Sequence, residues 1–85
     1  MRNVTFHAKA YDEFTEWARV DRKIFERLDG LIKESIRTPF AGTGKPEPLR
    51  HEFRGYWSRR ITDEHRLIYS VSEDSITIVS CKSHY

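Results

Sequence analysis

The stretch Arg66-Leu-Ile-Tyr-Ser-Val71 decides how this chain folds. Leu67, Tyr69 and Val71 alternate with Arg66, Ile68 and Ser70, and a period of two belongs to a half-buried β-strand with one face on a core. Acidic pairs stand on both sides of it, Asp63-Glu64 and Glu73-Asp74, as polar residues do where a chain reverses. They mark hairpin turns and place further strands over residues 49–54, 56–62 and 75–82.

Ahead of this meander the period changes. A short strand over residues 2–6 sets Val4 and Phe6 on one face. Tyr11, Phe14, Trp17 and Ala18 then recur at helical spacing and predict an amphipathic helix whose aromatics face the core. Val20-Asp21 breaks it, and Asp21 is placed to cap a second helix that lines up Ile24, Leu28, Leu31, Ile32 and Ser35. Gly30 inside that helix costs roughly 1 kcal/mol relative to alanine, which a close packing contact at that position would explain. Thr38-Pro39 stops the helix. Residues 37–48, with three prolines and two glycines, read as a loop. The order strand, helix, helix, strand meander predicts a single α+β domain over 1–85. Its two N-terminal helices pack on one face of a mostly antiparallel sheet and leave the other face open.

An 85-residue chain that is 38% hydrophobic and 33% charged suits one soluble globular domain of modest stability. A bound partner or a dimer contact would add to that stability by mass action. The single cysteine, Cys81, excludes an intrachain disulfide framework and reads as a buried small hydrophobe. No segment has the apolar core of a signal peptide, and none approaches the ~20 apolar residues that span a bilayer, so the cytoplasm is the expected location. The net charge of +2 is mild, but its distribution is not even. Lys45, Arg50, Arg54, Arg59, Arg60 and Arg66 crowd into one region with His51, His65, Tyr56 and Trp57. That mixture suits phosphate contacts and base stacking; a solvated strand pair of alternating charge fits it equally well.

Gly42-Thr-Gly-Lys45 resembles a phosphate-binding loop only briefly, because Pro46 follows the lysine where Ser or Thr is required. His7, His51, His65 and His84 are scattered without ligand spacing, so neither a metal nor another cofactor is expected. A metal-independent set remains. Breaking RNA without a metal takes a base for the ribose 2′-hydroxyl, an acid for the departing 5′-oxygen and a fixed cation on the phosphate. Glu47, locked between Pro46 and Pro48, His84, just past the last strand, and Arg66, at the start of another, supply these groups. Singly, each has an ordinary reading: a solvated loop carboxylate, a terminal histidine, a surface ion pair. From the residues alone the reading ends at a basic α+β domain with the charge to bind RNA.

Three stretches go further: Arg37-Thr-Pro-Phe-Ala-Gly-Thr-Gly-Lys-Pro-Glu-Pro-Leu49, Gly55-Tyr-Trp-Ser-Arg-Arg-Ile-Thr-Asp-Glu-His-Arg-Leu67 and Cys81-Lys-Ser-His-Tyr85. In this order and spacing they resemble the YoeB family of the RelE/ParE toxin superfamily, over essentially the whole chain. The resemblance implies a microbial-RNase, RelE-like fold and the toxin half of a type II toxin–antitoxin system. It implies a ribosome-dependent endoribonuclease that cuts mRNA in the A site by 2′-hydroxyl attack, and a YefM-like antitoxin as partner; a homodimer is a further expectation. Carried over by position, Glu47 is similar to the family's general base, His84 to its general acid and Arg66 to its phosphate-stabilising cation. Arg60 corresponds to a second phosphate contact, Tyr85 to an orienting aromatic and His51 to a group near the phosphate. Arg50 stands where the family often has lysine, a planar fork in place of a point charge. Two alternatives stand beside this: a ParE-like toxin that poisons gyrase by binding, and a non-catalytic RNA- or ribosome-binding module that uses Arg59 and Arg60.

Overall fold

The computed structural model describes residues 1–82. The chain runs through β1 (Asn3–Phe6), α1 (Ala8–Val20), α2 (Arg22–Arg37), β2 (Glu47–Pro48), β3 (Tyr56–Arg60), β4 (Arg66–Val71) and β5 (Ser75–Ser80). Asp21 caps α2 as its position suggests, its carboxylate accepting the Ile24 amide at 3.2 Å. α1 begins after His7, whose side chain makes no cap bond.

The strands form one sheet in the order β1-β5-β4-β3-β2. β1 lies parallel to β5, and the other neighbours are antiparallel. Both helices pack on one face, which makes this the α+β fold expected from the element order. Ala10 and Trp17 of α1, Leu28, Leu31 and Ile32 of α2, Leu67 and Tyr69 of β4, and Ile76 and Ile78 of β5 form the core. A large aliphatic side chain buried in this way contributes about 1.5–3 kcal/mol. Phe6, Phe14 and Phe25 extend the core along the β1 side, their ring centroids 5.1 and 5.0 Å apart.

Cys81 is buried as expected, and burial, with the Glu13 carboxylate adding to it, pushes its thiol up to about 12. The Trp17 indole N–H donates to the Cys81 carbonyl at 2.9 Å, and the Cys81 amide donates to Glu13 Oε1 at 2.9 Å. The end of β5 is therefore fastened to α1.

The structure corrects the sequence reading in five places. Glu47 and Pro48, read as the end of the 37–48 loop, pair with β3 as the short strand β2. No strand spans 49–54. The pairing stops at Pro48 and at the bond from the Leu49 amide to the Tyr56 carbonyl, and a 3-10 turn at His51–Phe53 follows. His51 at φ 59° and Gly55 at φ 102° are left-handed, and such backbone cannot continue an extended strand. Gly30 is exposed and nothing lies within 4 Å of where its Cβ would stand, so no close approach accounts for it. Tyr11 is 53% exposed although it shares the α1 spacing with the buried Trp17; its ring meets Phe6 edge-on, with centroids 5.8 Å apart, at the margin of the core. Ile68, expected on the open face of β4, is only 2% exposed, beside the register shift that falls between Ile68 and Tyr69.

Candidate functional site

Strand register builds the site. Glu47 pairs with Ser58, Ser58 with Ile68, and Arg60 with Arg66. Because side chains alternate along a strand, Ser58 and Arg60 face away from the helices while Trp57 and Arg59 face toward them. Glu47, Ser58, Arg60 and Arg66 thus share the outer face, and with Gly44 and Lys45 they line a concavity of about 80 Å³.

One carboxylate and three cations meet there. Nη1 of Arg66 is shared among the carbonyls of Thr62, Asp63 and His65 at 2.6, 3.1 and 3.2 Å. These bonds fix the guanidinium at the β3–β4 turn, and carbonyl oxygens carry no charge to neutralise it. Among the described residues, no carboxylate forms an ion pair with Arg60 or Arg66. Like charges directly opposite across a strand pair are destabilising. An anion between the two guanidinium groups would relieve that repulsion.

Of the residues singled out in the sequence, Glu47, Arg60 and Arg66 are brought together. Arg50 and His51 are exposed on the connection between β2 and β3 and do not line the concavity. His84 and Tyr85 lie outside the described residues. The register of Ile68 with Ser80 leads the chain toward the Arg66 end of β4, and Lys82 is held to Glu16 by an ion pair at 3.1 Å. Lys45 and Ser58 were missed. Lys45 had the signal of lying two residues before Glu47; Ser58 reaches the site through register alone, for which the sequence has no signal. Arg59 is the reverse case. Grouped with Arg60 as a surface contact, it is 0% exposed and points into the helix layer.

The model of the YoeB-like toxins of bacterial type II toxin–antitoxin systems matches residues 6–85. The chain belongs to that family. Toxin YoeB of Escherichia coli (strain K12) is 49% identical over 77 residues, which make up 91% of this chain and 92% of that one. Toxin RelK of Mycobacterium tuberculosis is 49% identical over 85 residues and 100% of both chains. Among solved structures, the YoeB/ParE toxin from Agrobacterium tumefaciens superposes with a TM-score of 0.92 at 41% identity, covering 98% of this chain and 99% of that one. The YoeB chain of a YoeB–YefM complex from Staphylococcus aureus gives 0.90 at 38% identity, over 100% and 99%. A YoeB dimer from the same organism gives 0.91 at 40% identity, over 99% and 98%. This YoeB-family chain is the toxin of a type II toxin–antitoxin system.

Proposed function

We propose that this toxin is a ribosome-dependent, metal-independent endoribonuclease that cuts mRNA in the A site and so stops translation. The observation that carries the proposal is the Arg60–Arg66 pair beside Glu47, two cations without a carboxylate partner among the described residues and next to a candidate base. Glu47 takes the proton from a ribose 2′-hydroxyl, whose oxygen attacks the adjacent phosphorus. The bond to the 5′-oxygen breaks, that oxygen leaves with a proton from His84, and a 2′,3′-cyclic phosphate remains. Arg66 and Arg60 stabilise the charge on the non-bridging oxygens as it grows. Lys45, Arg50 and His51 contact the flanking backbone, and Tyr85 orients His84 or the substrate.

A concavity of about 80 Å³ has room for a phosphate group and not for a nucleotide. The RNA on either side of that phosphate runs over the outer face, and in-line attack needs it held there in a bent path. The ribosome supplies that path, which is the positioning term of catalysis, and the cytoplasm is where the toxin meets it. The YoeB–YefM complex and the YoeB dimer from S. aureus support a YefM-like antitoxin and a homodimer as partners here.

Primer extension on translating ribosomes tests the reading. Glu47→Ala should cut about 10²- to 10⁴-fold more slowly than wild type. Its melting temperature should change little, because Glu47 is exposed. Cleavage at the wild-type rate would remove Glu47 from the mechanism. Ribosome binding by the wild type without new RNA ends would replace the nuclease with a binding module, and equal cleavage of naked RNA would remove the ribosome's role.

A further inference from the structure

The most completely bonded polar group in the described chain is one the proposed chemistry does not use. Arg59 is 0% exposed, yet all five of its guanidinium N–H donors have partners. Nε donates to the Tyr69 hydroxyl at 3.1 Å, and Nη1 to Glu34 Oε2 at 2.8 Å and the Thr43 carbonyl at 3.0 Å. Nη2 donates to the carbonyls of Thr38 and Ala41. The two partner side chains reach the same loop independently. The Tyr69 hydroxyl donates to the Pro39 carbonyl at 2.6 Å, and the Thr43 amide donates to Glu34 Oε2 at 2.6 Å. Burial raises the Tyr69 phenol above its ordinary value and so keeps it a donor.

Residues 38–43 are thereby gripped from β3, β4 and α2 at once. The following residue, Gly44, accepts the Arg60 amide at 2.7 Å, and Gly44, Lys45 and Glu47 line the concavity. Gly42 at φ 116° completes the grip: a Cβ there would stand 1.8 Å from Glu34 Oε2.

We propose that the cluster of buried Arg59 and Tyr69 with the half-buried Glu34 is a positioning device that acts on Glu47 through this loop, Arg59 being a positioning residue and not an RNA contact. β2 is only two residues long, so where the prolines and this pairing set Glu47 depends also on the loop that leads into it. The inference rests on the nuclease reading, in which Glu47 is the base. A misplacement of about 1 Å caused far from the chemistry can cost ~10²-fold in rate.

The test pairs Tyr69→Phe, which deletes one hydroxyl, with Glu34→Gln, each made in wild-type and Glu47→Ala backgrounds and assayed on programmed ribosomes. We expect kcat to fall about 10-fold or more with KM within about twofold, and no further loss when Glu47 is already absent. Wild-type kcat in both variants, a change in KM alone, or an equal loss in the Glu47→Ala background would each overturn the proposal. Hydrogen exchange gives a readout independent of activity. In the wild type the Thr43 amide should be protected, and exchange at the rate of a free loop amide overturns the proposal whichever variants fold. If Glu47→Ala itself cuts at the wild-type rate, the nuclease reading falls and this inference with it. A normal kcat in Tyr69→Phe and Glu34→Gln, beside a defective Glu47→Ala, overturns the positioning role alone.

Discussion

Arg59 and Arg60 are neighbours in sequence, yet one is sealed under a loop and the other stands in the candidate site. Nothing in the residue type separates them. What does is strand parity, which sets each on its own face of β3. Sequence reading found Glu47, Arg60 and Arg66 as site residues but treated Arg59 as a further surface cation, because its partners Glu34, Thr43 and Tyr69 come from distant parts of the chain. The same cluster makes part of the protein's stability depend on pH. The Thr43 amide and the Arg59 guanidinium hold the Glu34 carboxyl below its ordinary value near 4.5. A carboxylate with a depressed folded-state pKa contributes stability that is complete above its unfolded-state value and is lost as pH falls through the folded one. Thermal melts should therefore show the wild type losing stability from about pH 4.5 downward, while Glu34→Gln, less stable at neutral pH, changes less over that window. Parallel melting curves across that range would mean that folding does not hold the Glu34 carboxyl below its unfolded-state value.

The elements follow from local patterns where a period runs for several residues, and fail where it does not. α1, α2, β4 and β5 come from their apolar spacing, and Asp21 from its capping chemistry. The 49–54 segment has no such run, and the left-handed His51 and Gly55 turn it away from the sheet. Gly30 is the other exception, an exposed glycine in the middle of α2 with open space around it. Its helix propensity is therefore the main term, and Gly30→Ala should raise stability by about 0.5–1 kcal/mol. For a domain of this size that amounts to an increase in melting temperature of roughly 2–8 °C. A decrease, with secondary structure otherwise normal, would show that a side chain at this position is strained in the folded chain and that helix propensity is not the main term.

At the scale of the molecule, this is a small core carrying a strongly charged working face. A chain of 85 residues has little stability to spare; among the described residues Arg60 and Arg66 of the outer face have no carboxylate partner, and an acidic, partly apolar antitoxin segment would neutralise them. Binding to the folded state alone should raise apparent stability by about 2.7 kcal/mol at a hundredfold excess over Kd. Titration of a YefM-like antitoxin against thermal unfolding should show the melting temperature rising with antitoxin concentration; a midpoint independent of concentration would exclude this partner. The sequence by itself determined the periods of the elements, their order, the α+β layering they imply and the family, because these are written in neighbouring residues and their spacing. Only the tertiary structure decided which of two adjacent arginines is buried, that Arg60 stands opposite Arg66, and that the Gly44–Glu47 segment folds back beside them. Those facts rest on strand register and on hydrogen bonds between residues far apart in the chain, and no local pattern encodes which distant backbone a strand will meet.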